Sequence, residues 1–123
     1  MQTNKIRATW PFQALADDTR LRIVRLLSGS GLVATPSQLA LTLSIPPSHL
    51  TRHLQILAWS DLISITRKGR SSAITIARTE SYHDALFSTV LSMPDDMGIF
   101  SGDLERFLAI AHTDSSQYEL TQD

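Results

Sequence analysis

Apolar residues recur along the chain with two periods, and the switch between them marks out the elements. In "ADDTRLRIVRLLSGSG" (residues 16–31), Leu21, Val24 and Leu27 stand three apart, the stripe of a helix buried on one side. Asp17 supplies an N-cap oxygen, Asp18 suits the positive first turn, and Gly29-Ser30-Gly31 ends the pattern, so a helix is predicted over residues 19–28. "TPSQLALTL" follows with Thr35 as cap, Pro36 in the first helical position and Gln38 three residues after the cap. This capping box predicts a short helix from Pro36 to Thr42.

The third stripe, Leu50, Leu54 and Leu57, lies in "IPPSHLTRHLQIL" (residues 45–57). Pro47 disfavours helical geometry at Pro46, so Pro46 is read as the flanking residue and Pro47 as the first helical one, in a helix running to about Ser60. Pro46 has no capping oxygen and Pro47 no amide. The first free amides are then those of Ser48 and His49, at a positive helix end where a phosphate could cap the helix. Beyond it the period drops to two. Ile63 and Ile65, then Ile74 and Ile76, alternate around Lys68-Gly69-Arg70-Ser71, which predicts a two-stranded hairpin with a basic tip.

Helical spacing resumes at Tyr82, Leu86, Val90 and Met93, widened by Phe87 and Leu91 and stopped by Pro94. A turn-rich "PDDMGIFSG" leads to a short amphipathic piece, Asp103 to Ala111. Residues 112–123, "HTDSSQYELTQD", have the composition of a disordered acidic tail. Near the start, Trp10 to Leu15 carries Trp10, Phe12 and Leu15. The expected organisation is one domain over residues 1–111 followed by that tail. At 123 residues the chain is long enough for one core of ordinary size, and its 42% hydrophobic and 19% charged residues are those of a globular protein.

Composition narrows the chemistry. The chain has no cysteine, which removes disulfides, thiolate metal sites and thiol switches. No apolar run is long enough to span a bilayer, and "MQTNKIRATW" lacks the apolar segment of a signal peptide, so a cytoplasmic protein without a membrane partner is expected. No cysteine nucleophile, glycine-rich phosphate loop or spaced histidine cluster is present, and an enzyme is not expected. The net charge of −1 hides an asymmetry: ten Lys or Arg against Asp17, Asp18 and Asp61 through Arg78, and nine acids against Arg106 alone after it. A basic body with an acidic end points to an anionic partner, nucleic acid first.

Helix, short helix, turn, helix and basic hairpin is the plan of a winged helix-turn-helix: a mainly α protein with a small β-hairpin. On the third helix Leu50, Leu54 and Leu57 share one side, while Ser48, Thr51, Arg52 and Gln55 share the other, with His49 beside them. Those side chains hydrogen-bond base edges and phosphates, the chemistry of a recognition helix in a major groove. Arg67, Lys68 and Arg70 crowd the hairpin tip, within reach of phosphates or a minor groove.

"FQALADDTRLRIVRLL", "LALTLSIPPSHLTRHLQIL" and "LISITRKGR" resemble, in order and spacing, the ArsR/SmtB-like family of bacterial transcriptional regulators, over residues 12 to 76. The resemblance implies a homodimeric repressor that places its recognition helix and wing on an operator palindrome in double-stranded DNA, with terminal helices as the dimer interface. Contact roles carry over to Ser48, Thr51 and Arg52; His49 and Gln55 come from the helical face. The family's usual Ser-Gln-Ser opening is replaced by Pro46, Pro47 and Ser48, and its aromatic second wing strand by Ser71, Ser72, Ala73 and Ile74. His53 is read as structural.

Many relatives sense metals, and the sites they use do not map here. The thiolate site would need cysteines near Thr35 and Ser37, and the zinc-type site keeps only His83, with Ser81, Pro94 and Met97 at the other positions. His83 with Asp84 or Glu80, and the pair Asp95 and Asp96, are read as a solvated helix start and an acidic loop. No cofactor is expected and no effector is identified. Trp10, Phe12, Tyr82, Phe87 and Phe100 are read as core rather than as the lining of a ligand pocket at a dimer interface. A metal- or ligand-responsive sensor and a winged-helix protein-interaction module are the rival functions.

Overall fold

The computed structural model describes residues 6–122, with side chains as far as Asp114. A 3-10 turn at Arg7–Thr9 leads into α1 (Trp10–Leu15), then α2 (Asp18–Ser30), α3 (Pro36–Leu43) and α4 (Pro47–Trp59). The hairpin β1 (Ile63–Lys68) and β2 (Ser71–Ile76) follows, then α5 (His83–Ser92) and α6 (Ile99–Gln122). The fold is a winged helix-turn-helix.

The sequence punctuation acts as its chemistry requires. Asp17 accepts the Arg20 amide at 3.0 Å, and Gly31, in left-handed conformation at φ 66, closes α2. At α3 the capping box is complete: the Gln38 amide donates to Thr35 Oγ1 at 3.2 Å, and the Thr35 amide to Gln38 Oε1 at 3.0 Å. Ser44, at φ 55, turns the chain out of α3 toward α4.

The core lies where α2 meets the other helices. Ile23, Val24 and Leu27 of α2 are buried with Leu39 of α3, Leu50, Leu54 and Leu57 of α4, Phe87 of α5 and Phe107 of α6. The antiparallel hairpin pairs Ile63 with Ile76 and Lys68 with Ser71, leaving Gly69 and Arg70 as the turn. Of those two only Gly69 has positive φ, as a II′ turn requires. Ala34 adds an isolated bridge, exchanging both backbone hydrogen bonds with Ile74 at 2.8 and 2.9 Å. One residue cannot show an alternating pattern, so this link of the wing to the body leaves no trace in the sequence.

The C-terminal part departs from expectation. The piece expected over Asp103 to Ala111 is α6, which starts at Ile99 and whose backbone is helical to Gln122; Asp123 of the expected tail lies outside the described residues. The early start has a visible cause: both carboxylate oxygens of Asp95 accept amides of the first turn, Phe100 and Ser101, at 3.0 Å. Desolvation pushes the Asp95 carboxyl up, but those amides, the Ser101 hydroxyl and Arg25 outweigh it and hold it below the usual carboxylate range. Asp103 and Phe107, both buried, then fasten α6 to the body, and after Gly102 no glycine or proline interrupts it.

Candidate nucleic-acid interface

α4 begins as the two prolines dictate. Pro46 is the extended flanking residue (φ −62, ψ 142), Pro47 is the first helical residue, and no side chain caps the helix. One part of the expectation is corrected: the His49 amide is not open, because it donates to the Pro46 carbonyl at 3.0 Å, a carbonyl it shares with the Leu50 amide at 3.1 Å. The i→i−3 bond tightens the first turn, and only the Ser48 amide is left without an intrahelical acceptor.

Leu50, Leu54 and Leu57 face the core, and Ser48, His49, Thr51, Arg52 and Gln55 are exposed on α4. The Thr51 hydroxyl donates to the Pro47 carbonyl at 3.0 Å, so toward an external partner it offers lone pairs and a methyl group. His53 is half-buried beside α2, with Nδ1 3.3 Å from Arg20 Nη1 and 3.8 Å from Asp17 Oδ2. Its place is structural.

The hairpin carries Arg67, Lys68 and Arg70 at its exposed end. What separates these from the other cations is their partners. Arg7 pairs with Asp61 and Arg78 with Asp84; Arg20 donates to the Ala14 carbonyl at 2.7 Å, and Arg25 to the Met93 carbonyl at 2.6 Å. Arg22 and Arg106 both bind Asp103, and that hydrogen bond raises the Arg22 guanidinium above its usual range. Among the described residues, Arg52, Arg67, Lys68 and Arg70 have no hydrogen bond or ion pair. Among the described residues the uncommitted Lys and Arg side chains therefore lie on α4 and the wing, and groups there can meet phosphates without first breaking a hydrogen bond or ion pair.

Other expected sites resolve differently. His83 is buried rather than solvated: its Nδ1 accepts the Glu80 amide at 3.1 Å, so Nε2 carries the proton and donates to the Asp61 carbonyl at 2.7 Å. Both nitrogens thus hold the chain turn before α5, and the ring stacks on Phe87 at 5.4 Å. Of the five aromatics expected in the core, Phe87 is there. Trp10, Phe12 and Tyr82 instead line a cavity of about 660 Å³ between the N-terminal segment, α5 and the Ser60–Asp61 turn. Phe12 is 66% exposed, and Phe100 lies under the Arg25 guanidinium at 4.3 Å. Small amphipathic elements at a chain end have too little periodicity to show which side is covered. Sequence reasoning also misses the cluster of Arg22, Asp103 and Arg106; Arg22 and Asp103 stand 81 residues apart, and no local pattern links them.

This geometry defines the class of the domain, and comparison with known proteins agrees. Residues 15–66 match the family described as a helix-turn-helix domain. HlyU from Vibrio cholerae N16961 is similar in structure, with a TM-score of 0.61 and 22% identity over 73% of this chain and 94% of that one. Reduced HlyU from the same organism is similar too, with a TM-score of 0.57 and 20% identity over 68% of this chain and 81% of that one. At these identities the likeness is one of fold. No curated protein matches the chain. No helix among the described residues is long and apolar enough to cross a membrane.

Proposed function

We propose that the chain is a sequence-specific DNA-binding transcriptional regulator of the ArsR/SmtB-like type, a homodimer that represses by occupying a promoter palindrome. One observation carries the DNA reading: among the described residues Arg52, Arg67, Lys68 and Arg70 have no hydrogen bond or ion pair, while each of the other arginines is paired with an acid or a carbonyl of the same chain. α4 enters the major groove, where Arg52 and Gln55 read base edges and Ser48, His49 and Thr51 hold register, and the wing grips phosphate. The helix-turn-helix match over residues 15–66 supports this reading. Dimerisation draws support from Phe12 and Ile6, exposed on the N-terminal segment. Two recognition helices related by the dimer axis would meet half-sites roughly 34 Å apart.

The test is a titration against a duplex that the protein selects from a random-sequence pool. Replacing Arg67, Lys68 and Arg70 by alanine should flatten the slope of log affinity against log salt by about 0.9 for each phosphate that is no longer neutralised. An unchanged slope removes the wing from the interface. The absence of any enriched duplex removes the DNA reading and leaves a protein-interaction module. The cavity beside Trp10, Phe12 and Tyr82 favours a second form of the function, in which a small apolar effector alters DNA affinity. The same titration, run with and without candidate effectors, separates the two.

A further inference from the structure

α6 lies outside the helix-turn-helix match, yet it binds both ends of α3, the helix that supports α4. At the C-terminal end, Arg106 Nε donates to the Thr42 carbonyl at 3.1 Å, and Arg106 Nη2 to Asp103 at 2.7 Å. Asp103 is 1% exposed and takes two further bonds from Arg22 of α2, at 2.8 and 2.9 Å. At the N-terminal end, Gln38 Nε2 donates to Asp114 at 2.7 Å, while Gln38 Oε1 completes the capping box.

We propose that Asp103 and Arg106 are positioning residues for α4: the Arg106 guanidinium, aimed by Asp103, fixes the last turn of α3 and so the direction in which the chain enters the recognition helix. Thr42 is the next-to-last residue of α3, and the turn through Ser44 (φ 55) and Ile45 joins it to Pro46. Its carbonyl lies at a helix end without an intrahelical donor, where a guanidinium satisfies the acceptor and opposes the negative pole. Attachment of α6 does not depend on this bond, since Phe107 is buried and Asp103 is already held by Arg22. The bond to Thr42 falls on the turn that aims α4. A planar fork is needed, because one group must reach a carboxylate and a main-chain carbonyl together.

The inference rests on the DNA reading, and the experiment keeps the two apart. Affinities of Arg106→Met, Arg106→Lys and Asp114→Ala are measured for the selected duplex and for a scrambled one, with thermal unfolding to confirm that each is folded. Arg106→Met should weaken the selected duplex about tenfold and the scrambled one by less than about twofold. Arg106→Lys should restore little, and Asp114→Ala, at an exposed site, should act in the same direction by about threefold. If the parent binds but both duplexes weaken equally, or if lysine restores parental affinity, Arg106 contributes only charge and the positioning role is overturned. Parental affinity in Arg106→Met also overturns it, whatever Asp114→Ala does. If the parent selects no duplex, the DNA reading fails and this inference fails with it.

Discussion

Arg22 and Arg52 carry the same guanidinium on neighbouring helices, and their surroundings are opposite. Arg22 meets a buried carboxylate from α6 in a bidentate pair; Arg52 stands exposed with no partner among the described residues. The contrast extends over the molecule. On the α2–α6 side cations meet acids and carbonyls and hold helices together, and on α4 and the wing they meet none. Charge counted along the chain mixes the two groups, and only packing separates the cations that build the fold from those free to bind something else. The acidic end, in particular, answers part of the basic body internally.

The contrast is tested hardest at the buried side. Asp103→Ala removes the buried carboxylate that Arg22 and Arg106 share, and since both guanidiniums keep access to water, the lost charge-assisted hydrogen bonds should lower stability by about 2 to 3 kcal/mol. Urea unfolding should show a lower midpoint with an unchanged slope. An unchanged midpoint would mean that α6 and its ion cluster do not hold the body together, and the division between the two sets of cations would collapse.

The exposed side should respond in the other observable. Arg52→Ala should weaken the selected duplex by ~1 to 3 kcal/mol and relax preference at one base position. Its stability should stay within about 0.5 kcal/mol of the parent, because the side chain is exposed and has no hydrogen bond or ion pair among the described residues. Equal binding of selected and random DNA by parent and variant would show that this face of α4 reads no sequence.

How much of this is legible in the chain follows from the range of each interaction. Helix ends set by neighbouring residues, such as Asp17 to Arg20, the Thr35–Gln38 box and the Pro46–Pro47 start, are written locally, and so are the faces of α4 and the hairpin turn. The outward residues of the candidate interface can therefore be named from the sequence. Three features cannot. The bond from His49 to Pro46 depends on how tightly the first turn winds, the Ala34 bridge is one residue long, and the hold of Asp103 on Arg22 spans most of the chain. The extent of α6 is hidden for the last reason: residues 112–122 are mostly polar, and the helix's anchors are a buried carboxylate and Phe107, whose partners lie on other elements.

Arg78 gives the smallest effect and the finest discrimination. Sequence position places it with the basic body, and a charge count would assign it to the DNA face alongside Arg67, Lys68 and Arg70. The structure pairs it with Asp84 at 2.8 Å, but both side chains are well exposed, at 51% and 87%. An exposed pair of this kind contributes little, so Arg78→Ala should change stability by no more than about 0.5 kcal/mol. Its effect on the salt slope decides more. If Arg78 is committed to Asp84, the slope stays at the parental value, whereas each wing alanine lowers it. A drop equal to that of a wing residue would show that exposed pairs open to meet phosphate, and the boundary between committed and free cations would then run through burial rather than through pairing.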